Sequence, residues 1–501
     1  MATTTRYLLL SDLHLADVED HADGWKAHKH SRHTFDPVLD AVVDGFLAGA
    51  RPYDTSTVIL NGDIVDFDLV TAIPEHPAWP VSPRERRRGL AATAEKSAWK
   101  LQQILAHHAG FVSTLARVLG QGHTVVWVIG NHDLELCFAE AQTVLGKAVA
   151  ASQEAQGFKV CGAVTFEPWF YFVPGEIYVE HGHQYDRFSS QDVVLQPTDC
   201  SDGPERAVLS MGNVSNRTLL GRMGYFNPHA SDYILSGLGY ITHWLRHYAF
   251  TRRSLVFSWL LGSIAVFFEL LGIARRRRRN PPNRAAALQA EAVRKGLPLD
   301  VIEAIDAGRR QPVDRHPWRM ARELWLDRVL LATLMVGGTV ALGLSPVPLW
   351  VALMVPLCGF PLLYLVYDGL ATGDSIYSME QEAHQHARAI ARLLPVRVVS
   401  FGHSHVPEVV PLAPGVSYAN TGTWAAMPRA DLSLEPGLRN ALVVTCSAGR
   451  AHLSLESHQV SPLMPPLAHL HTLPVQTAVL EAPHGQASEL TSSAPATMPR
   501  G

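Results

Sequence analysis

The chain is short of cysteine, of net charge and of an apolar amino terminus, and each shortage removes a class of protein. Its five cysteines (Cys137, Cys161, Cys200, Cys358 and Cys446) are scattered through 501 residues without one C-x-x-C pair. That spacing offers neither a disulfide framework nor a zinc ribbon, and a reducing compartment is the expectation. The formal net charge is -4. Duplex binders carry a basic face and a raised pI, so no nucleic-acid partner is expected. Before Asp12 the only apolar run is Tyr7 to Leu10, too short for the core of a signal peptide. The amino-terminal part is therefore expected to stay cytosolic. Core-forming material is not short: 47% of the chain is hydrophobic and 18% charged, enough for one large domain or two to three ordinary ones.

What is present is a recurring unit. Five times a short apolar run ends in a polar turn: "RYLLLSDLH", "TVILNGDIVD", "TVVWVIGNHD", "EIYVEHGH" and "VRVVSFGHSH". Short runs rich in Val, Ile and Leu read as buried strands, and Gly, Asp and Asn break them. Between the second and third runs, "RRRGLAATAEKSAWKLQQILAHHAGFVSTLARVL" has helical periodicity. Strand, helix and strand thus alternate, which predicts an α/β sheet with its site beyond the carboxyl ends of the strands.

Residues 191–375 differ in character. The stretch 254–274 holds one charge, Glu269, and 329–367 holds none, broken only by "SPVP" at 345–348. Lengths near 20 residues match a bilayer, so a helical, membrane-associated insert is expected, with apolar segments at 254–274, 329–345 and 349–367. Buried core helices are the alternative. Between Arg275 and Trp325 there are 13 Lys or Arg against 6 Asp or Glu, which places that segment on the cytoplasmic side. With Arg252 and Arg253 before it and the arginine run after it, 254–274 reads as an interfacial or re-entrant helix, and 329–367 as a hairpin that goes out and returns. The rival has 254–274 crossing and one later segment failing to cross. The run Arg275 to Arg279 is either a site for anionic headgroups or a solvated stop-transfer cluster. "PRERRRGL" at 83–90 is either an anion-binding turn or a solvated one. Residues 458–501 are Pro, Ser, Ala and His-rich without periodicity, and a disordered tail is expected there.

The turns carry ligand chemistry. Asp12 and His14 lie two residues apart in "DLH", Asp63 follows Gly62, "GNHD" holds Asn131, His132 and Asp133, "HGH" holds His181 and His183, and "GHSH" holds His403 and His405. Imidazoles and carboxylates without thiolates suit Mn, Fe, Zn, Ni or Co better than Ca or Mg, which prefer all-oxygen shells. A lone D-x-H or H-x-H is more often a hydrogen-bonded structural pair. All of them together, in this order and each after an apolar strand, are specific.

The ordered set D-x-H, GD, GNHD, H and GHxH resembles the calcineurin-like metallophosphoesterases over residues 6–186 and 396–447. The resemblance implies a two-sheet αββα sandwich formed by residues 1–190 and 376–457, interrupted by the insert. It implies that Asp12, His14, Asp63 and His405 hold one divalent metal and Asp63, Asn131, His181 and His403 a second, Mn being the first expectation. It further implies hydrolysis of a phosphomonoester, phosphodiester or pyrophosphate by metal-activated hydroxide. His132 is then placed to protonate a leaving oxygen, with Asp133 orienting it. Asp66 and Asp186 are expected to orient ligands. His183 stands where many relatives have aspartate, and either touches substrate or does the same. "NTGTW" at 420–424 resembles the family's closing turn.

Some relatives, such as the UDP-diacylglucosamine pyrophosphatases, carry a lid for acyl chains in the interval that holds the insert. The expected substrate is therefore a phosphoester, lipid-linked in one reading and a soluble nucleotide or phosphoprotein in the other, met by a membrane-associated enzyme on the cytoplasmic side. A non-catalytic scaffold of the same shape is the alternative from another class.

Overall fold

The computed structural model describes residues 4–21, 25–31, 36–51, 54–201, 203–224, 229, 255–371, 379–428, 434–436, 439–447, 449–459, 471–472 and 476–480. The strands are β1 (Thr5–Leu10), β2 (Thr55–Asn61), β3 (Thr124–Val128), β4 (Val164–Glu167), β5 (Phe170–Val173), β6 (Ile177–Glu180), the small ribbon β7 (Thr198–Asp199) and β8 (Arg206–Ala207), β9 (Val398–Phe401), β10 (Glu408–Ala413), β11 (Val416–Asn420), the ribbon β12 (Ala426–Pro428) and β13 (Leu434–Pro436), β14 (Arg439–Ser447), β15 (Arg450–Gln459), β16 (His471–Thr472) and β17 (Gln476–Leu480).

Two sheets carry the architecture. The first runs β16-β15-β14-β1-β2-β3-β4 with β17 also on β15, and the second runs β10-β11-β9-β6-β5. In the first, β1, β2, β3 and β4 are mutually parallel while β14 and β15 are antiparallel. In the second, β6, β9 and β11 are parallel.

Alternation along the strands explains why these sheets pair. Tyr7, Leu9, Ile59, Val126 and Val128 point to one side and meet Ile177, Val179, Val398 and Ala419 of the second sheet in a single buried cluster. Their neighbours Leu8, Leu10, Val58, Leu60, Val125 and Trp127 point the other way. A period of two thus buries both faces. The outer face of the first sheet is covered by the helices Asp36–Ala48, Ala94–His107, Ala109–Gly120 and Ala139–Ala155. The outer face of the second, with Tyr178, Val399, Phe401 and Tyr418, packs on Ala387 and Ile390 of helix Met379–Leu393. Helix, sheet, sheet and helix form four layers, the sandwich that the sequence led one to expect.

The interval 191–375 is not one membrane unit. Helices Arg284–Lys295 and Leu299–Ala307 place Leu288, Ala292, Ile302 and Ile305 under the second sheet. Helix Leu255–Arg279 buries Val266, Leu270 and Ile273 against the core while Leu261, Ile264 and Phe268 face outward. Its Glu269 pairs with Arg84 and Arg88, so the basic turn at 83–90 leans on this helix. One apolar face of this helix thus packs on protein and the opposite one stays uncovered.

The second apolar stretch is different. Helix Leu326–Leu344 and the continuous helical run Leu349–Tyr367 are each 19 residues long and 6% and 0% buried. Each is about 28 Å long at 1.5 Å per residue, close to the hydrocarbon thickness of a bilayer. Pro356, which has no amide donor, sits in a single wider turn at Val355–Gly359. Leu330, Leu334, Val340, Leu353 and Leu365 are exposed, as are Trp318 and Trp325 at one end and Trp350 at the other. A soluble monomer rarely leaves so much apolar surface uncovered.

At the carboxyl end one expectation changes. Residues 471–472 and 476–480 pair with β15, because an antiparallel edge strand of backbone donors and acceptors accepts partners whatever their composition. The rest of the expected tail, 460–470, 473–475 and 481–501, lies outside the described residues, as do Arg252 and Arg253.

Leu9, fully buried between the sheets, reports on their packing. Leu9→Ala is expected to destabilise the two-sheet body by about 2–5 kcal/mol, read as a lower denaturation midpoint of the purified protein.

Candidate metal centre

Every ligand-bearing turn begins where a parallel strand stops. Asp12 and His14 follow β1, Asp63 follows β2, Asn131 and His132 follow β3, His181 follows β6, and His403 and His405 follow β9. Backbone hydrogen bonds stitch the turns to one another across the two sheets. Asp12 N–H donates to the Gly62 carbonyl at 3.1 Å, His14 to Asp63 at 2.9 Å, Gly402 to His181 at 2.9 Å and Trp424 to Asp12 at 3.0 Å. The "NTGTW" turn is thereby tied to the first motif, and Ser11 and Thr421 hydroxyls meet at 2.5 Å.

The turns are strained where ligands sit. Asp12, His14, Asp63, His403 and His405 all have positive φ, between 50° and 65°. For a residue with a Cβ this costs on the order of 1–3 kcal/mol. Gly62 and Gly130 show why glycine flanks them. A Cβ at Gly62, itself at φ 75°, would run into the His181 ring, and one at Gly130 into the Asp63 carboxylate and backbone.

The side chains converge in three groups: Asp12 with His14 and His405, Asp63 with His181 and His403, and His14 with Asp66, His132 and His229; the first two are the ones the sequence motifs led one to expect. In the first, His405 Nε2 is 3.2 Å from Asp12 Oδ1 and 3.2 Å from His14 Nε2. In the second, His181 Nε2 is 3.0 Å from Asp63 Oδ2. All of these groups are buried or nearly so.

Among the four histidines of the first two groups, the outer nitrogens of three meet a partner that only accepts, and that of the fourth, His14, faces a carboxylate beyond hydrogen-bond distance. His405 Nδ1 meets the His229 carbonyl at 3.0 Å, His181 Nδ1 the Asn61 carbonyl at 2.9 Å, and His403 Nε2 the Asp186 carboxylate at 3.1 Å. His14 Nδ1 faces Asp66 Oδ2 at 3.7 Å. An acceptor-only partner places the proton on that nitrogen. In the neutral imidazole the inner nitrogen is then a lone pair. Two lone pairs 3.2 Å apart, and another 3.0 Å from a carboxylate, repel unless a cation lies between them. Asn131 Oδ1, buried without a hydrogen-bond partner among the described residues, is a further neutral oxygen donor. A nitrogen and oxygen donor set with no thiolate suits a divalent transition metal.

Charge supports that reading. Burial opposes the Asp63 charge, yet His181, His132 and His14 outweigh it and hold this carboxyl well below the usual range. Burial likewise pushes His181 down, but Asp63 and Asp12 lift it to about 9. A cation in place of that proton would satisfy the same carboxylates.

His132 stands apart from the first two groups. Its Nδ1 is 3.2 Å from Asp66 Oδ2 and 3.2 Å from Asp68 Oδ2, and its backbone N–H donates to Asp63 Oδ1 at 2.7 Å. Burial opposes protonation, but Asp66 and Asp63 hold the imidazole well above its ordinary value. The carboxylates that face the His132 ring are thus Asp66 and Asp68, not the adjacent Asp133. Asp133 instead accepts from Ile64 N–H at 3.1 Å, Trp127 Nε1–H at 2.8 Å and Gly130 N–H at 2.5 Å, which locks the GD and GNHD turns together. Burial and the Asp63 charge push its carboxyl up to about 7. His183 is buried against the Gln184 amide at 2.7 Å, its ring 5.5 Å from that of His181, and belongs to neither metal group.

Several site residues escaped the sequence reading. Asp68, two residues after Asp66, is one. Ser210 caps helix Met211–Thr218 in a reciprocal box with Asn213. The Asn213 amide then donates to Asp68 Oδ2 at 2.6 Å and to the Asn131 carbonyl at 2.8 Å, while Asn216 Nδ2 lies 3.4 Å from His132 Nε2. Arg217 Nε is 3.9 Å from Asp68. The signal available was Asn213, Asn216 and Arg217 at i, i+3 and i+4, one face of a helix. His229 carried none.

A family model described as calcineurin-like phosphoesterase matches residues 5–240, from β1 through His229 and short of His403 and His405. No curated protein and no solved structure matches the chain. The family match and the convergent donors together give metal-dependent hydrolysis of phosphoesters as the general class of chemistry.

Gly130→Ala would push the new methyl into Asp63. It is expected to weaken metal binding by roughly 10- to 100-fold, the effect of displacing a ligand's support, measured by equilibrium dialysis against Mn²⁺.

Proposed function

We propose that the protein is a membrane-anchored, dinuclear-metal phosphoesterase that cleaves a phosphomonoester, phosphodiester or pyrophosphate bond. The observation that carries this is the set of four histidines, each with an outer nitrogen turned to an acceptor and an inner nitrogen turned to Asp12 or Asp63. Asp12, His14 and His405 would hold one metal and Asn131, His181 and His403 the other, with Asp63 shared between them. When bound, such a pair supplies an activated water and a clamp for phosphoryl oxygens; Mn²⁺ is the first choice, with Fe, Zn, Ni or Co next.

The chain's own residues do the rest. His132, held charged by Asp66 and Asp68, donates its Nε2 proton to the departing oxygen. Asp186 and Asp66 keep His403 and His14 in the tautomers that ligation needs. Asn213 fixes the loop that presents Asn131 and His132.

A lipid-linked phosphate is the substrate class we favour. The interval that brings Asn213, Asn216 and His229 to the site also carries the two uncovered apolar helices, which supports a substrate met at a membrane. The basic residues beside the hairpin support a cytoplasmic catalytic body. A soluble nucleotide or phosphoprotein is the competing substrate.

Purified protein with Mn²⁺ is expected to hydrolyse an aryl phosphate or aryl phosphodiester, and to lose that activity with a chelator. Asp63→Asn is expected to abolish nearly all turnover and metal binding; full activity in that variant would end the proposal. Among lipid phosphates, hydrolysis should rise in mixed micelles, and activity confined to soluble substrates and indifferent to micelles would remove the lipid reading. After an alkaline carbonate wash the protein should stay in the membrane pellet; release would remove the hairpin.

A further inference from the structure

We infer that His229, carried by the insert, is a positioning residue for one half of the metal pair, the half formed by Asp12, His14 and His405. The inference rests on the dinuclear reading above and adds a residue to it.

His229 touches both histidines of that half, from two different atoms. Its carbonyl lies 3.0 Å from His405 Nδ1. Its ring lies flat on His14, centroids 3.8 Å apart and planes 30° from parallel. Its Nε2 is 3.6 Å from Asp66 Oδ2, the carboxylate that also faces His14 Nδ1 and His132 Nδ1. One insert residue therefore packs on the first motif of the chain and hydrogen-bonds the last.

The physical consequence is selective. His14 and His405 sit at positive φ on short turns, and the His14 Nδ1 contact with Asp66 is long. A ring stacked on its face restrains the His14 imidazole in the plane that aims Nε2 at Asp12 and His405. In the other half, His181 is held by Asn61 and His403 by Asp186 rather than by His229. Removal of the His229 ring should thus weaken one metal and spare the other.

The test is Mn²⁺ equilibrium dialysis on the full chain in detergent, with stoichiometry and two affinities read for wild type, His229→Ala and His229→Phe. Wild type should bind two equivalents. Alanine keeps the backbone carbonyl and removes the stacked face; it should retain one tight equivalent while the second weakens roughly 10- to 100-fold, the usual effect of losing a ligand's support. Phenylalanine restores the face without the nitrogens and should return the weak site toward wild type. Turnover of the alanine variant should recover at high Mn²⁺. If alanine prevents folding, as read by circular dichroism, His229→Leu fills the volume without an aromatic face and is expected to show the same loss. Two equivalents at wild-type affinity in the alanine or leucine variant overturn the inference and leave the dinuclear reading intact. A phenylalanine variant as weak as alanine overturns the stacking role. A wild type that binds fewer than two equivalents overturns both readings.

Discussion

His181 commits its Nδ1 proton to the Asn61 carbonyl, so in the neutral ring the nitrogen it turns toward Asp63 is a lone pair, 3.0 Å from a carboxylate that is almost wholly buried. The same conflict recurs where His14 and His405 bring their Nε2 atoms to 3.2 Å beside Asp12. Isolated buried charges cost several kcal/mol each even after relaxation. Such an arrangement persists only with positive charge at its centre, supplied by protons or by metal ions. The donor types favour metal, and the acceptors behind each ring pre-select the ligating tautomer.

That concentration of repulsion needs a rigid frame, and the two sheets provide it. The five strands that end at the site bury apolar residues on both faces, so the strand ends cannot drift apart without opening the core. Over them the turns adopt left-handed backbone at five donor residues. The strain is offset by cross-turn hydrogen bonds such as His14 to Asp63 and Trp424 to Asp12. Asp133 adds a further tie, accepting from the β3 tryptophan and from both neighbouring loops. Strain and buried polarity at one place, amid ordinary packing elsewhere, is the usual sign of a site under functional constraint.

The insert has three separate tasks. Its first part, Met211–Thr218 with His229, closes the wall of the site around His132, Asp68 and His14. Its middle helices cover the second sheet and lean Glu269 on the Arg84 turn. Its last part leaves two apolar helices without protein cover. A single segment thus links the metal groups to the surface fit for a bilayer.

Sequence alone determined the strands, their carboxyl-terminal turns and the apolar hairpin, because each is encoded within a window of some ten to twenty residues: alternation or continuous hydrophobicity, then Gly, Asp or His at the break. An α/β sheet followed from that pattern, and the αββα sandwich from the resemblance carried by the ordered motifs. Tertiary structure alone decided which carboxylate serves His132. Asp133 is adjacent in sequence, but Trp127, Ile64 and Gly130 engage it, and Asp66 and Asp68 reach the ring from the preceding turn. Only the fold showed that helix Leu255–Arg279 packs one face on the core, since a 25-residue apolar helix does not announce whether protein or lipid will cover it. Only the fold brought His229 onto His14. Their contact spans more than two hundred residues with no local periodicity, so its physical origin lies in how the insert packs back over the strand ends.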